Sequence, residues 1–146
     1  MTKTALDKVL GCLDAKGLIA FTRQVARIPS VHGDEKKISH AFAERMKRLG
    51  LEVETPQVEP GRNNVVGWLR GAGGGDSLTL NGHVDTVFEA LGWTRKLYGG
   101  ELVNGKIYGH GVSNMKASDA AMVYAADAIR RSGVKLKGDL LVALVV

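Results

Sequence analysis

The sequence predicts an α/β fold with helices packed on a mixed β-sheet. Three observations lead there. Stretches with helical apolar spacing alternate with stretches of strand character. Residues 138–146 form a near-continuous apolar run, as in a strand covered on both faces. A hydrophobic content of 45% in 146 residues is enough to build one domain with a real core.

Residues 4–28 read as helical, with a break near Gly11 or Gly17 and Asp14 placed to cap a second segment. Leu18, Ile19, Phe21, Val25 and Ile28 form its apolar stripe, and Pro29 stops it. A second helix is predicted over 34–49, from Ile38, Phe42, Met46 and Leu49, with Gly50 as its stop. His40 falls off that stripe, and His32 sits in a Ser-Val-His-Gly loop; both read as solvent-facing. Residues 51–58 read as a half-exposed strand broken by Pro56, 64–70 as another strand, and 71–76 as a flexible turn with no phosphate-loop signature. A strand follows over 77–84, then an irregular stretch over 88–99. Asn104-Gly105 between two short alternating arms predicts a hairpin over 101–108. Residues 113–132 read as a helix, with Met115, Met122, Ala125, Ala126 and Ile129 on its apolar side and Gly133 ending it.

The net charge of +5 is not spread evenly. Residues 1–50 hold 10 Lys and Arg against 5 Asp and Glu, and the remainder is balanced. A solvated helix face accounts for this. A nucleic-acid surface would interleave stacking aromatics, and 36–48 has only Phe42, so no nucleic-acid partner is expected. One cysteine, Cys12, allows neither an internal disulfide nor a thiolate zinc knot. No signal peptide or membrane-spanning run is visible, so a cytoplasmic protein with no membrane partner is expected.

Two motifs carry chemistry. In Asn81-Gly82-His83-Val84-Asp85-Thr86, at the end of an apolar strand, His83 and Asp85 are two apart and can share a direction beyond the sheet edge. A neutral imidazole is a good zinc ligand, and a nearby carboxylate can fix its tautomer. The same spacing also fits an ordinary hydrogen-bonded pair. In Gly109-His110-Gly111-Val112-Ser113-Asn114-Met115-Lys116, Ser113 is a candidate N-cap. Asn114 then reads either as a second capping residue or as a side chain reaching into a cleft.

Taken together, these motifs resemble the zinc-dependent family of aminoacylase, acetylornithine deacetylase, succinyl-diaminopimelate desuccinylase and glutamate carboxypeptidase. Further matching segments, in order, are Arg27-Ile28-Pro29-Ser30, Gly61-Arg62-Asn63-Asn64-Val65-Val66, Trp93, Gly99-Gly100-Glu101 and Gly105-Lys106-Ile107-Tyr108-Gly109. The resemblance implies a zinc exopeptidase-like catalytic domain, of which residues 1–146 are the N-terminal part. It implies His83 as a zinc ligand, Asp85 as the catalytic residue orienting it, and Asn114 at the metal position where the family usually has a bridging aspartate. Zn2+, one or two ions, is the implied cofactor, with Co2+ as a substitute and weak or no binding in this chain alone. The implied substrate is an N-acyl amino acid or short peptide, and full-length members are often homodimers.

Asn114 departs from the pattern, and a neutral carboxamide is expected to hold a second metal poorly. His110 stands where arginine is common and is given no metal role; Lys116 reads as scaffold. The family's Glu-Glu pair, the later ligands and a lid or dimerisation domain are not found in the sequence. Because the chain closes on an apolar strand, a truncated and inactive piece is expected. The alternative is a non-catalytic relative kept for binding or assembly.

Overall fold

The computed structural model describes residues 4–146 and has the expected α/β architecture. Helix α1 spans Ala5–Leu10 and α2 spans Ala15–Ala26; the predicted break falls between them. Asp14 caps α2 by accepting the Gly17 N–H at 2.8 Å, so Gly17 lies inside the helix and the break belongs to Gly11. Helix α3, Lys36–Arg48, buries Ile38, Phe42 and Met46 completely. Phe21 and Phe42 meet edge to face, with ring centroids 5.2 Å apart, where α2 and α3 join the core.

The predicted strand over 51–58 is two short strands, β1 (Glu52–Glu54) and β2 (Gln57–Glu59), because Pro56 separates them. Strand β3 (Arg62–Asn63) pairs only with β2, whereas β4 (Val65–Leu69) enters the main sheet. Strand β5 covers Leu78–His83, β6 (Glu101–Val103) and β7 (Lys106–Tyr108) form the predicted hairpin, and β8 covers Leu140–Val145. The main sheet runs β1-β4-β8-β5. Strand β8 is antiparallel to β4 and parallel to β5, so the sheet is mixed. Along β8, Leu140, Val142 and Leu144 are buried in the core while Leu141, Ala143 and Val145 are half-buried. One face, rather than both, is therefore fully covered.

The helix predicted over 113–132 begins later, as α4 (Ala117–Ser132). Residues Val112–Lys116 form one wide turn in which Asn114 (φ −140°, ψ 92°) and Met115 (φ −137°, ψ 32°) leave helical geometry. Ser113 makes no capping hydrogen bond, and Asn114 does not lie within a regular helical turn. The buried side of α4 is also broader than the predicted stripe. Asp119, Ala120, Val123, Tyr124, Ala126, Asp127 and Ala128 are buried, whereas Met122, Ala125 and Ile129 are half-buried. The reason is that α4 packs against α1 and α2 as well as β5 and β8, so more than one stripe is covered.

Candidate functional site

The candidate site lies where β5 runs out, beside the 112–116 turn. His83 is the last residue of β5. Its Nδ1 faces two acceptors of Asp85, Oδ1 at 3.0 Å and the backbone oxygen at 3.1 Å, and therefore carries the ring proton in the neutral imidazole. The Nε2 lone pair then points away from Asp85. It meets Asn114 Oδ1 at 3.1 Å. Burial pulls the His83 pKa down, but Asn114 and Asp85 together outweigh it and leave the imidazole above its ordinary value.

The contact between His83 and Asn114 joins two electron-pair donors. Three arrangements relieve it: a proton on Nε2, the Asn114 amide turned to present its N–H, or a cation between the two atoms. A tetrahedral zinc with donors at about 2.0–2.2 Å holds them about 3.3–3.6 Å apart. The observed 3.1 Å needs only a small parting of the two side chains. His83 Nε2 and Asn114 Oδ1 thus fit one cation as a two-donor half-site. Among the described residues, no group of three or more His, Cys, Asp or Glu completes it.

Asn114 reaches His83 because the chain turns sharply at Gly111. Its φ of +74° is in the left-handed region, and an added Cβ there would strike the Thr86 methyl group. The turn is tied down by Lys116, whose fully buried ammonium donates to the Ile28 carbonyl at 2.7 Å; burial lowers its pKa to about 8. A cavity of about 300 Å3 opens beside the pair, with Thr86, Val87, Trp93 and His110 in its wall. His110 is buried, and its Nε2 donates to the Val87 carbonyl at 2.9 Å, so the ring fixes the wall and does not face His83 through that nitrogen.

The structure therefore brings His83, Asp85 and Asn114 together. It also places near them groups to which the sequence assigned no part in the site. Asp119 is fully buried under Gly82, with neither carboxylate oxygen hydrogen-bonded among the described residues, and burial raises its pKa to about 7. An acidic residue at an apolar helical position was the available signal. His32 is 65% exposed, yet its Nδ1 lies 3.8 Å from Asp85 Oδ2. Behind it, buried Glu35 pairs with Arg62, a contact between residues 27 apart that leaves no pattern in the sequence.

Residues 79–146 match the family model for peptidase family M20/M25/M40. The chain is 33% identical over 136 residues to N-formyl-4-amino-5-aminomethyl-2-methylpyrimidine deformylase of Bacillus subtilis, covering 90% of this chain and 31% of that protein. It is 33% identical over 111 residues to succinyl-diaminopimelate desuccinylase of Methylorubrum extorquens, covering 73% and 29%. The chain thus spans about a third of the length of the curated relatives it matches. Among solved structures, human carnosine dipeptidase 1 aligns with 99% of this chain and 35% of its own, at a TM-score of 0.77 and 19% identity. A Bacillus subtilis protein described as a dinuclear metal binding peptidase of the M20 family aligns with 88% of this chain and 34% of its own, at a TM-score of 0.62 and 16% identity. At these identities the structural matches show a shared fold.

Proposed function

We propose that this chain, a relative of peptidase family M20/M25/M40, supplies the first part of a metal-dependent catalytic domain that hydrolyses an amide bond in an N-acyl amino acid or short peptide. The observation that carries this is the pair of donors, His83 Nε2 and Asn114 Oδ1, aimed at each other at the edge of a cavity. The deformylase and desuccinylase names of the two relatives supply the reaction class, removal of an acyl group from nitrogen.

The residues have separable tasks. Asp85 holds the His83 proton on Nδ1, which keeps the Nε2 lone pair free and makes it a better donor. Asn114 adds a carbonyl dipole but no negative charge. The half-site suits Zn2+, with Co2+ able to replace it, and binds one ion weakly. A zinc ion held there would supply a Lewis acid that polarises the scissile carbonyl and lowers the pKa of a water. Trp93 and Val87 offer an apolar wall against which an acyl or side-chain group can lie. Catalysis by zinc takes about three protein ligands, so further ligands must come from residues outside this set. The 146-residue chain by itself is accordingly inactive.

The test is zinc titration of the chain and of His83→Ala and Asn114→Ala, followed by calorimetry. Binding that is lost in His83→Ala and weakened in Asn114→Ala supports the reading. Binding that both variants leave unchanged overturns it. A second reading, a non-catalytic relative, is favoured by the neutral Asn114; it predicts no hydrolysis even when a longer form of the protein is assayed with zinc.

A further inference from the structure

The Asp85 carboxylate stands between two imidazoles. Its Oδ1 accepts the His83 Nδ1–H, and its Oδ2 faces His32 Nδ1 at 3.8 Å. The segment holding His32 is stitched to the segment holding Asp85. The Thr86 N–H donates to the Ser30 carbonyl at 2.7 Å, the His32 N–H donates to the Thr86 carbonyl at 3.1 Å, and Val31 and Thr86 form a parallel bridge. Whatever fixes residues 30–34 therefore fixes the chain on either side of Thr86.

Glu35 is what fixes them. It stands at the N-cap position of α3 but makes no capping bond with its side chain. Instead the carboxylate folds back and accepts the Gly33 N–H at 2.7 Å. It also takes two bonds from Arg62, Nε to Oε2 and Nη2 to Oε1, both at 3.0 Å. The Glu35 side chain is fully buried and that of Arg62 is 13% exposed. Arg62 Nη2 also lies 3.4 Å from His32 Nδ1, and Nη1 donates to Glu59 at 3.1 Å. Burial pushes the Glu35 pKa up, but Arg62 and the Gly33 N–H outweigh it and keep the group ionised below the usual carboxylate range. A buried bidentate pair is geometrically strict, and breaking it leaves an uncompensated charge. Helix α3 alone needs no such pair at its start, since a serine or aspartate would cap it more simply.

We propose that Glu35 is a positioning residue for the His83–Asp85 pair. Through Arg62 and Gly33 it holds the 31–34 turn, and the turn holds Asp85 where its carboxylate orients His83. Arg62 is its partner in this role, and the backbone bonds of Ser30 and His32 to Thr86 carry the position of the turn to Asp85. The affinity arm of the test rests on His83 being a cation ligand; the spectroscopic arm does not.

The experiment compares the whole 146-residue chain with Glu35→Gln, Arg62→Lys, Asp85→Asn and the double variant Glu35→Gln/Asp85→Asn. Zinc affinity is measured for each, together with the ring-nitrogen NMR shifts of His83 in the absence of metal. Glu35→Gln is expected to weaken zinc binding about fivefold, less than Asp85→Asn, for which the loss of about tenfold or more typical of a direct outer partner of a ligating histidine is expected. In the Asp85→Asn background the same substitution is expected to cost less than about twofold, because its route to His83 is already cut. Without metal, Glu35→Gln is expected to erode the preference for the proton on Nδ1. Equal losses in both backgrounds, or no loss in either, would overturn the proposal. If the unsubstituted chain takes up no zinc, the functional reading fails on its own account. The metal-free shifts then decide this proposal, and a His83 tautomer unchanged in Glu35→Gln overturns it. Arg62→Lys, which keeps the charge but not the two-pronged geometry, stands in if Glu35→Gln does not fold. Failure of both to fold would make the pair a stability element only and would likewise overturn it.

Discussion

Asp119→Asn should change how the stability of this protein depends on pH. Asp119 has no exposed surface, and both its oxygens lack a hydrogen-bond partner among the described residues. Its pKa is raised from 3.8 to about 7, first by burial, with the His83 charge opposing. The folded state thus holds the proton over a range where the unfolded state has released it. Stability falls as pH rises through that window and is flat above the folded pKa. At about 1.4 kcal/mol per pKa unit, the shift corresponds to a loss on the order of 2–4 kcal/mol by neutral pH and above. The Asn variant keeps the shape and cannot ionise, so it lacks this loss. Urea unfolding of both proteins at about pH 5 and about pH 8 measures it, because the variant-minus-parent difference isolates one carboxyl. The variant should gain on the parent by about 3 kcal/mol between the two pH values, because about two pKa units of the window lie above pH 5. Parallel pH dependences in the two proteins would refute the reasoning, and would mean that Asp119 is ionised and compensated in the folded state.

Asn114→Asp places a carboxylate facing His83 Nε2 and should raise zinc affinity at least several-fold in a titration; unchanged affinity would show that residue 114 does not touch the ion. Gly82→Ala should destabilise the protein by about 1–3 kcal/mol in denaturant unfolding, because the new methyl would strike the Asp119 carboxylate and the Met122 methyl. Lys116→Met should flatten the rise in stability expected between the folded pKa of about 8 and the ordinary value of 10.5, since the unfolded amine holds its proton there and the folded one does not. Unfolding midpoints measured across that range check the sign.

How much of this was legible in the sequence varies with the distance over which each feature is decided. Alternating helix and strand patterns placed α2, α3, β5, β8 and the 101–108 hairpin, because each is set by local periodicity or a local turn residue. His83 and Asp85 were legible for the same reason, being two residues apart at a strand end. Asn114 was recognisable as a motif position, but its backbone was not. Local propensity favours a helix from Ser113, whereas the left-handed Gly111, its closeness to Thr86 and the reach of Asn114 to His83 delay the helix to Ala117. The buried width of α4 was missed because it depends on how many neighbours pack around it. Glu35 and Arg62 meet only through tertiary structure, 27 residues apart, so no local pattern pairs them.

The most direct measurement is an NMR spectrum of the chain with an NMR-active cadmium isotope in place of zinc. A shift of the His83 Nε2 resonance on metal addition, weakened or lost in Asn114→Ala, is the result this account predicts. Saturating metal that leaves His83 Nε2 unmoved, or a shift indifferent to residue 114, would contradict it.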